Sequence, residues 1–322
     1  MSNPQRGGLL GWLGDFAWRD GAVEIRKTGI RLRVNFDLIW EVAYWLAYLA
    51  VLGVAVAAAR ARRRAPMSIW YAPDHPRPWY LLRGAALWAG FRVASSPSVA
   101  DASFYFDDST RGVPPPCPGL QMFNHRCTDI SKTHVAQVFA TVFGYPLALD
   151  PAEAFGDIVE KSERNGVHDG RIVQAPLRPR NGYAYQKLID TTDEVGLVHD
   201  LRTPCAGGKP VIVWEKTKPS AMRFAIHNSK AVLRDPILIF SPSELEMIAT
   251  FARIIGLDWG GLDILRDRQN GQIYIVDVNK TDLGPVIALS WCDKVKSMNR
   301  LSRALSFLVR SGARNAHDPA RR

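Results

Sequence analysis

The chain has 322 residues, 47% of them hydrophobic, with 41 Lys and Arg against 31 Asp and Glu and a formal net charge of +10. That length can hold two or three subdomains and a sizeable core, and the positive excess favours an anionic partner such as a nucleotide, nucleic acid or acidic lipid. No RNA-binding or zinc-finger motif is present, so specific nucleic-acid binding is not expected. Cys117, Cys127, Cys205 and Cys292 show no CxxC spacing and read as reduced, scattered thiols.

Residues 1–37 mix Gly, Arg, Trp and short apolar runs and specify no recognisable fold. Val42 to Ala59 then runs eighteen residues without a charge, the length of a minimal membrane helix. Trp40, Tyr44 and Trp45 sit at one end and the RARRR run Arg60 to Arg64 at the other, as in an anchor. Seven of the eighteen are alanine, so a buried or partner-packed helix is the competing reading. Arg26, Lys27, Arg31 and Arg33 on the other side weaken the charge bias, and a helix lying along the membrane surface fits as well.

Pro66 ends the basic run and marks a boundary. Met67 to Tyr71 reads as a strand, Trp79 to Val93 as a helix, and Phe104 to Phe106 as a second strand, giving a small parallel β-α-β unit. Arg111 to Gly119, RGVPPPCPG, reads as a loop and hinge. Val135, Val138, Phe139, Val142 and Phe143 recur at helical spacing, with Asp129 or Ser131 as the cap. Lys132 in the first turn opposes the helix dipole, which makes sense if it reaches an anion. Ile158 and Val159 start a strand that Lys161 ends, beside the flexible NGVHDG turn containing Gly166. A lysine leaving a strand next to such a loop can hold phosphate together with the loop N–H groups.

Ala184 to Asp190 reads as an alternating strand. HDLRTPCAGGKPVIVWEKTKP is a strand, a Gly-Gly turn and a returning strand. SPSELEMIATFARIIG is a helix, with Ser243 and Glu246 as its capping box and Gly256 as its stop. LDILRD and IYIVDVN flank an Asn270-Gly271 hairpin signal, so they should be antiparallel neighbours. Strand alternation puts Asp277 and Asn279 on one face, and the hairpin brings Asp263 near them. Three oxygen-bearing side chains from two strands suit Mg2+ completed by phosphate oxygens and water.

GLDWGGLDIL followed by GQIYIVDVNK resembles the metal-binding end of the ATP-grasp superfamily, which includes D-alanine–D-alanine ligases and peptide-modifying glutamate ligases. The resemblance covers about residues 124–308. It departs from the usual pattern in having Asp277 where Glu is frequent, and Lys280 to Pro285 where a Pro-Gly turn usually faces the acceptor. It implies Asp263, Asp277 and Asn279 as metal ligands and Lys132 and Lys161 as nucleotide-binding lysines beside the Gly166 loop. It also implies Gln186, Lys187 and Ile189 at the adenine, Asp200 near the ribose and Arg202 near the transferred phosphoryl group. Lys218 and Arg223 are then acceptor or phosphate contacts.

The expected fold is α/β (α+β): an ATP-grasp fold preceded by a small β-α-β domain and an N-terminal apolar helix. The expected boundaries are 1–66 for the N-terminal segment with its apolar helix at 42–59, and 67–120 for the small domain. The ATP-grasp domain is expected at 121–311, with a lid at about 121–185 and a metal-binding base at about 186–311. A basic tail, 312–322, follows. The implied activity is a cytoplasmic ligase, attached to a membrane face through 42–64 or free of it. It uses ATP and Mg2+ (two ions, or Mn2+ in their place) to activate a carboxylate as an acyl phosphate for attack by an amine or another nucleophile. The rival readings are an ATP-grasp kinase acting on a hydroxyl and a membrane-tethered nucleotide-binding protein without turnover.

Overall fold

The computed structural model describes residues 14–26, 30–61, 66–167, 169–224 and 229–316. The first of these form an antiparallel three-stranded sheet: β1 (Phe16–Arg19), β2 (Ala22–Ile25) and β3 (Ile30–Arg33). Asp20 and Gly21 turn β1 into β2 with φ of 51° and 73°, the left-handed pair that a two-residue hairpin requires. The short apolar runs within residues 16–33, which suggested no fold, are these strands. Helix α1 (Phe36–Ala61) follows and contains the whole apolar run.

A four-stranded parallel sheet comes next, in the order β5 (Arg92–Val93), β4 (Ser68–Pro73), β6 (Ala102–Phe106) and β7 (Gln121–Phe123). The β-α-β unit is therefore present, with two corrections. The helix expected over Trp79–Val93 is α2 (Leu81–Trp88) alone: Gly90 turns the chain at φ 80°, and Arg92–Val93 pairs in parallel with β4. The Pro-rich loop does not join two bodies, because it leaves β6 and returns as β7 in the same sheet. This sheet therefore extends to Phe123, past the boundary expected at 120.

Beyond it lie α3 (Lys132–Phe143) and a small antiparallel sheet of β10 (Tyr183–Lys187), β8 (Gly156–Ser162) and β9 (Arg171–Ala175), in that order. A larger antiparallel sheet has the order β14 (Lys230–Arg234), β13 (Val213–Pro219), β11 (Leu197–Ala206), β15 (Trp259–Arg266) and β16 (Ile273–Asn279). A short strand β12 (Lys209–Pro210) pairs with β11. Helices α4 (Pro236–Ile239) and α5 (Pro242–Ile255) precede β15, and α6 (Trp291–Ala316) ends the described chain.

Alternation splits the large sheet into two faces. Leu201, Leu262, Ile264 and Val278 pack with Phe139 of α3 and Phe251 of α5. Trp214, on the other face, packs with Phe104 of the parallel sheet and with Met298, Leu301, Leu305 and Val309 of α6, spaced as one helical face. The expected lid of 121–185 is corrected here, because α3 packs on the base sheet and only β8–β10 form a separate layer. The capping box of α5 also differs. Pro242 fits the first helical position because it has no N–H to satisfy, so the cap is the residue before it. Ser241 bonds the Glu244 N–H and Glu244 bonds back, whereas Ser243 and Glu246 lie inside the helix. Gly256 stops the helix at φ 79°, as expected.

Candidate functional site

Two register slips set the site. The Gly207-Gly208 turn begins with Ala206 opposite Lys209; a straight ladder from there would set Asp200 against Glu215. By the time β13 pairs, Asp200 faces Lys216. On the next hairpin Arg266 faces Ile273, and a straight ladder would set Asp263 against Val276. A bulge between Asp263 and Ile264 puts Asp263 opposite Asp277 instead. Bulges re-aim side chains in this way.

The result is a charged row across one face of the sheet. Lys216 Nζ lies 2.8 Å from Asp200 Oδ2 and 3.5 Å from Asp263 Oδ1. Arg202, opposite Asp263 across the ladder, donates from Nη1 to Asp263 Oδ2 at 2.6 Å, and its Nη2 donates to Asp282. Asn279 Nδ2 approaches Asp263 Oδ2 at 3.4 Å. Lys132, buried at the start of α3, reaches Asp277 Oδ1 at 2.5 Å and Asn165 Oδ1 at 3.1 Å. Gly166 follows Asn165 at φ 76°, so the glycine-bearing turn touches the row through its neighbour. Lys161 on β8 donates to Gln186 Oε1 at 3.1 Å. The Nε2 of buried Gln186 has no partner. Lys218, two residues beyond Lys216, shares its face and is buried.

Electrostatics follow from this crowding. Burial opposes ionisation of Asp263, but Arg202 and Lys216 outweigh it and hold its carboxyl well below the usual range. Burial raises Asp200 against the pull of Lys216, and raises Asp282 against Arg202. Burial would weaken the Arg202 cation, yet Asp263 and Asp282 more than restore it. Burial pulls the Lys161 ammonium below the ordinary lysine range; Asp277 opposes the fall and Lys132 adds to it.

Asp263, Asp277 and Asn279 suit a hard cation by donor chemistry. Asp263 Oδ1 and Asp200 Oδ1 are shielded from solvent and accept no hydrogen bond, and the first has only the Lys216 ammonium at 3.5 Å, so both have acceptor capacity left for a cation. Among the described residues no three His, Cys, Asp or Glu side chains form a metal cluster of their own. Two carboxylates and one amide thus fit an ion that draws its other ligands from phosphate and water, as Mg2+ does.

Three expected contacts lie outside the row. Lys187 turns away to Asp267 Oδ2 at 3.3 Å and the Tyr274 hydroxyl at 3.1 Å. The Ile189 side chain is in the core, and its carbonyl accepts from Arg223 Nη1 at 2.8 Å. Arg223 therefore braces the segment after β10 and does not join the charges. His168 lies outside the described residues. Three residues of the row were not anticipated: Lys216, Asn165 and Asp282. Lys216 had a signal, since it shares alternation with Lys218. An open cavity of about 700 Å³, lined in part by Thr192, His199, Glu215 and Arg268, sits on the other face of the base sheet and contains none of the row.

No family model matches the sequence, and no curated protein matches it. Solved structures do. The ATP-grasp ligase PsnB with minimal precursor, Mg and ADP matches at 11% identity and a TM-score of 0.47, over 73% of this chain and 97% of that one. In a PsnB complex with a phosphomimetic precursor variant, the match is 13% identical with a TM-score of 0.36, and spans 57% of this chain and 62% of that one. A RimK domain ATP-grasp protein from Sphaerobacter thermophilus matches at 10% identity and 0.45, over 75% and 99%. The VanG D-Ala:D-Ser ligase from Enterococcus faecalis matches at 13% identity and 0.44, over 68% and 74%.

Proposed function

We infer that the protein is an ATP- and Mg2+-dependent ligase that converts a carboxylate to an acyl phosphate and joins it to an amine or another nucleophile. The observation that carries this reading is the row itself: Lys216, Asp200, Arg202, Asp263 and Asp277 across four strands, met by Lys132 and Lys161 from α3 and β8. A nucleotide triphosphate needs such paired recognition, with cations for its phosphates and oxygens for its metal.

In this reading Lys132 and Lys161 hold phosphate oxygens, Gln186 meets the base and Asp200 the ribose. Asp263, Asp277 and Asn279 hold Mg2+, which when bound supplies charge neutralisation at the phosphates. Arg202 faces the transferred phosphoryl group and Lys218 the acceptor side. A carboxylate oxygen attacks the γ-phosphorus, the bond to the bridging oxygen breaks and ADP leaves. The nucleophile then adds to the acyl carbon, phosphate departs, and an amine sheds a proton. The residues contribute positioning and preorganised charge.

No protein nucleophile is required. Burial pushes the Cys127 thiol up to about 12 and raises Cys205 as well, so neither supplies a thiolate near neutrality. In domain terms, a small parallel-sheet domain precedes a nucleotide site formed by a β8–β10 lid and the large sheet, and the catalytic body works in the ATP-containing cytoplasm. The test is Mg2+-dependent ADP release over a panel of amino acids, peptides, sugar acids and polyols, with hydroxylamine as trap. ADP release that requires a carboxylate, with hydroxamate formed, supports the ligase. Release that requires a polyol replaces it with a kinase, and binding without turnover with a non-enzymatic role.

A further inference from the structure

Helix α1 has two apolar sides and the protein covers one of them. On the covered side Tyr48 is buried with α2 and α6 and Leu52 is buried as well, and Gly84 lets the helices approach, since a Cβ there would meet the Tyr48 hydroxyl oxygen at 3.2 Å and Met298 Cε at 2.9 Å. The Tyr44 ring lies 4.5 Å from that of Trp291, and Lys294 Nζ donates to its hydroxyl at 3.1 Å. The other side is exposed: Phe36 77%, Ile39 57%, Trp40 64%, Leu46 59% and Val54 72%. These positions recur every three to four residues or at twice that interval, so they form one face. The 21 residues Leu38–Ala58 have a mean hydropathy of 1.8 and only 12% of the apolar window is buried.

A helix apolar all round is normally enclosed all round. Spanning a bilayer would enclose α1, but only by stripping Tyr44, Tyr48 and Leu52 from the body, or by drawing Lys294 and the charged α6 to membrane depth. A second copy is disfavoured by charge. Arg60 lies in the last turn of the helix and Arg62, Arg63 and Arg64 follow it in sequence, and Lys27, Arg31 and Arg33 precede it, so parallel or antiparallel pairing of two α1 helices sets like charges together. An anionic lipid surface answers both ends at once.

We propose that α1 is an in-plane membrane helix: its Tyr48–Leu52 side stays on the catalytic body, its Ile39–Leu46–Val54 side enters the headgroup layer of an anionic leaflet, and the basic runs at both ends lie on that same leaflet. The proposal does not depend on the ATP reading. The full chain is added to preformed phosphatidylglycerol/phosphatidylcholine vesicles and to phosphatidylcholine alone, and floated. Binding should be at least tenfold stronger to the anionic vesicles and fall with added KCl. Leu46→Asp with Val54→Asp should reduce it at least tenfold while leaving the thermal midpoint unchanged. In a Cys292→Ser background, whose other cysteines are buried, Asn35→Cys and Ala58→Cys should react equally with an impermeant maleimide added outside. Protection of one end would show a spanning helix and overturn the proposal. So would a failure to bind vesicles, whether the chain is then a dimer that Leu46→Asp dissociates or a monomer.

Discussion

Asp263 lies directly opposite Asp277 on neighbouring strands because the ladder slips by one residue beside Asp263. Without the slip its partner would be Val276, whose side chain belongs to the apolar core. With it, two carboxylates meet on one face, Arg202 holds the first and Lys132 the second. Like charges at this spacing repel unless cations intervene, so the pair implies its own counter-charges.

Asp277→Asn preserves shape and removes one charge from the pair. Turnover should fall by roughly two to three orders of magnitude, the usual loss for one preorganised electrostatic contact. The thermal midpoint should also fall, because buried Lys132 loses the carboxylate it pairs with. Steady-state ADP release beside a melting curve checks both, and full activity in the variant would remove Asp277 from the site.

Lys216→Met leaves Asp200 without its ion-pair partner. Breaking one side of a buried pair costs about 3 kcal/mol. The double change with Asp200→Asn should recover at least half of that loss, because the stranded charge is then gone. Urea unfolding of the three variants measures the coupling.

Lys161 provides a pH signature. Its free ammonium titrates below the ordinary lysine range because of burial, and bound phosphate favours the charged form. Binding ATP at a pH near that lowered value should therefore take up protons, and affinity should fall as pH rises through it. Calorimetry in two buffers of different ionisation enthalpy reads this directly. Lys161→Met should abolish the buffer dependence.

The start of α5 gives a structural control. Ser241→Ala should cost about 1 kcal/mol, the typical worth of an N-cap. Ser243→Ala should stay within about 0.5 kcal/mol of zero, as for most surface changes. Chemical denaturation separates the two.

Alternation made Asp277 and Asn279 legible as one face, and the Asn270-Gly271 turn made the β15–β16 pairing legible. The α3 periodicity made Lys132 legible as a first-turn residue. Lys216 carried only the alternation it shares with Lys218; counting back from Gly207-Gly208 points to Glu215 instead, and a bulge carries no turn residue to betray it. The contacts Arg223 and Lys187 make, to the Ile189 carbonyl and to Asp267 and Tyr274, were not legible, because strand position alone does not say which neighbour a long side chain reaches. Asp282 sits in a loop whose path is set by tertiary packing, where its backbone carbonyl accepts from the Leu81 N–H and its side chain meets Arg202. The lid was overdrawn because the helical spacing of α3 does not reveal which sheet that face covers.

The most direct test of the nucleotide site is a calorimetric titration of ATP into the full chain with Mg2+ present, repeated with EDTA and with Asp277→Asn. Saturable one-site binding is expected, weakened at least tenfold by either change. No binding to the folded wild-type protein, or binding indifferent to both Mg2+ and Asp277, would contradict the assignment.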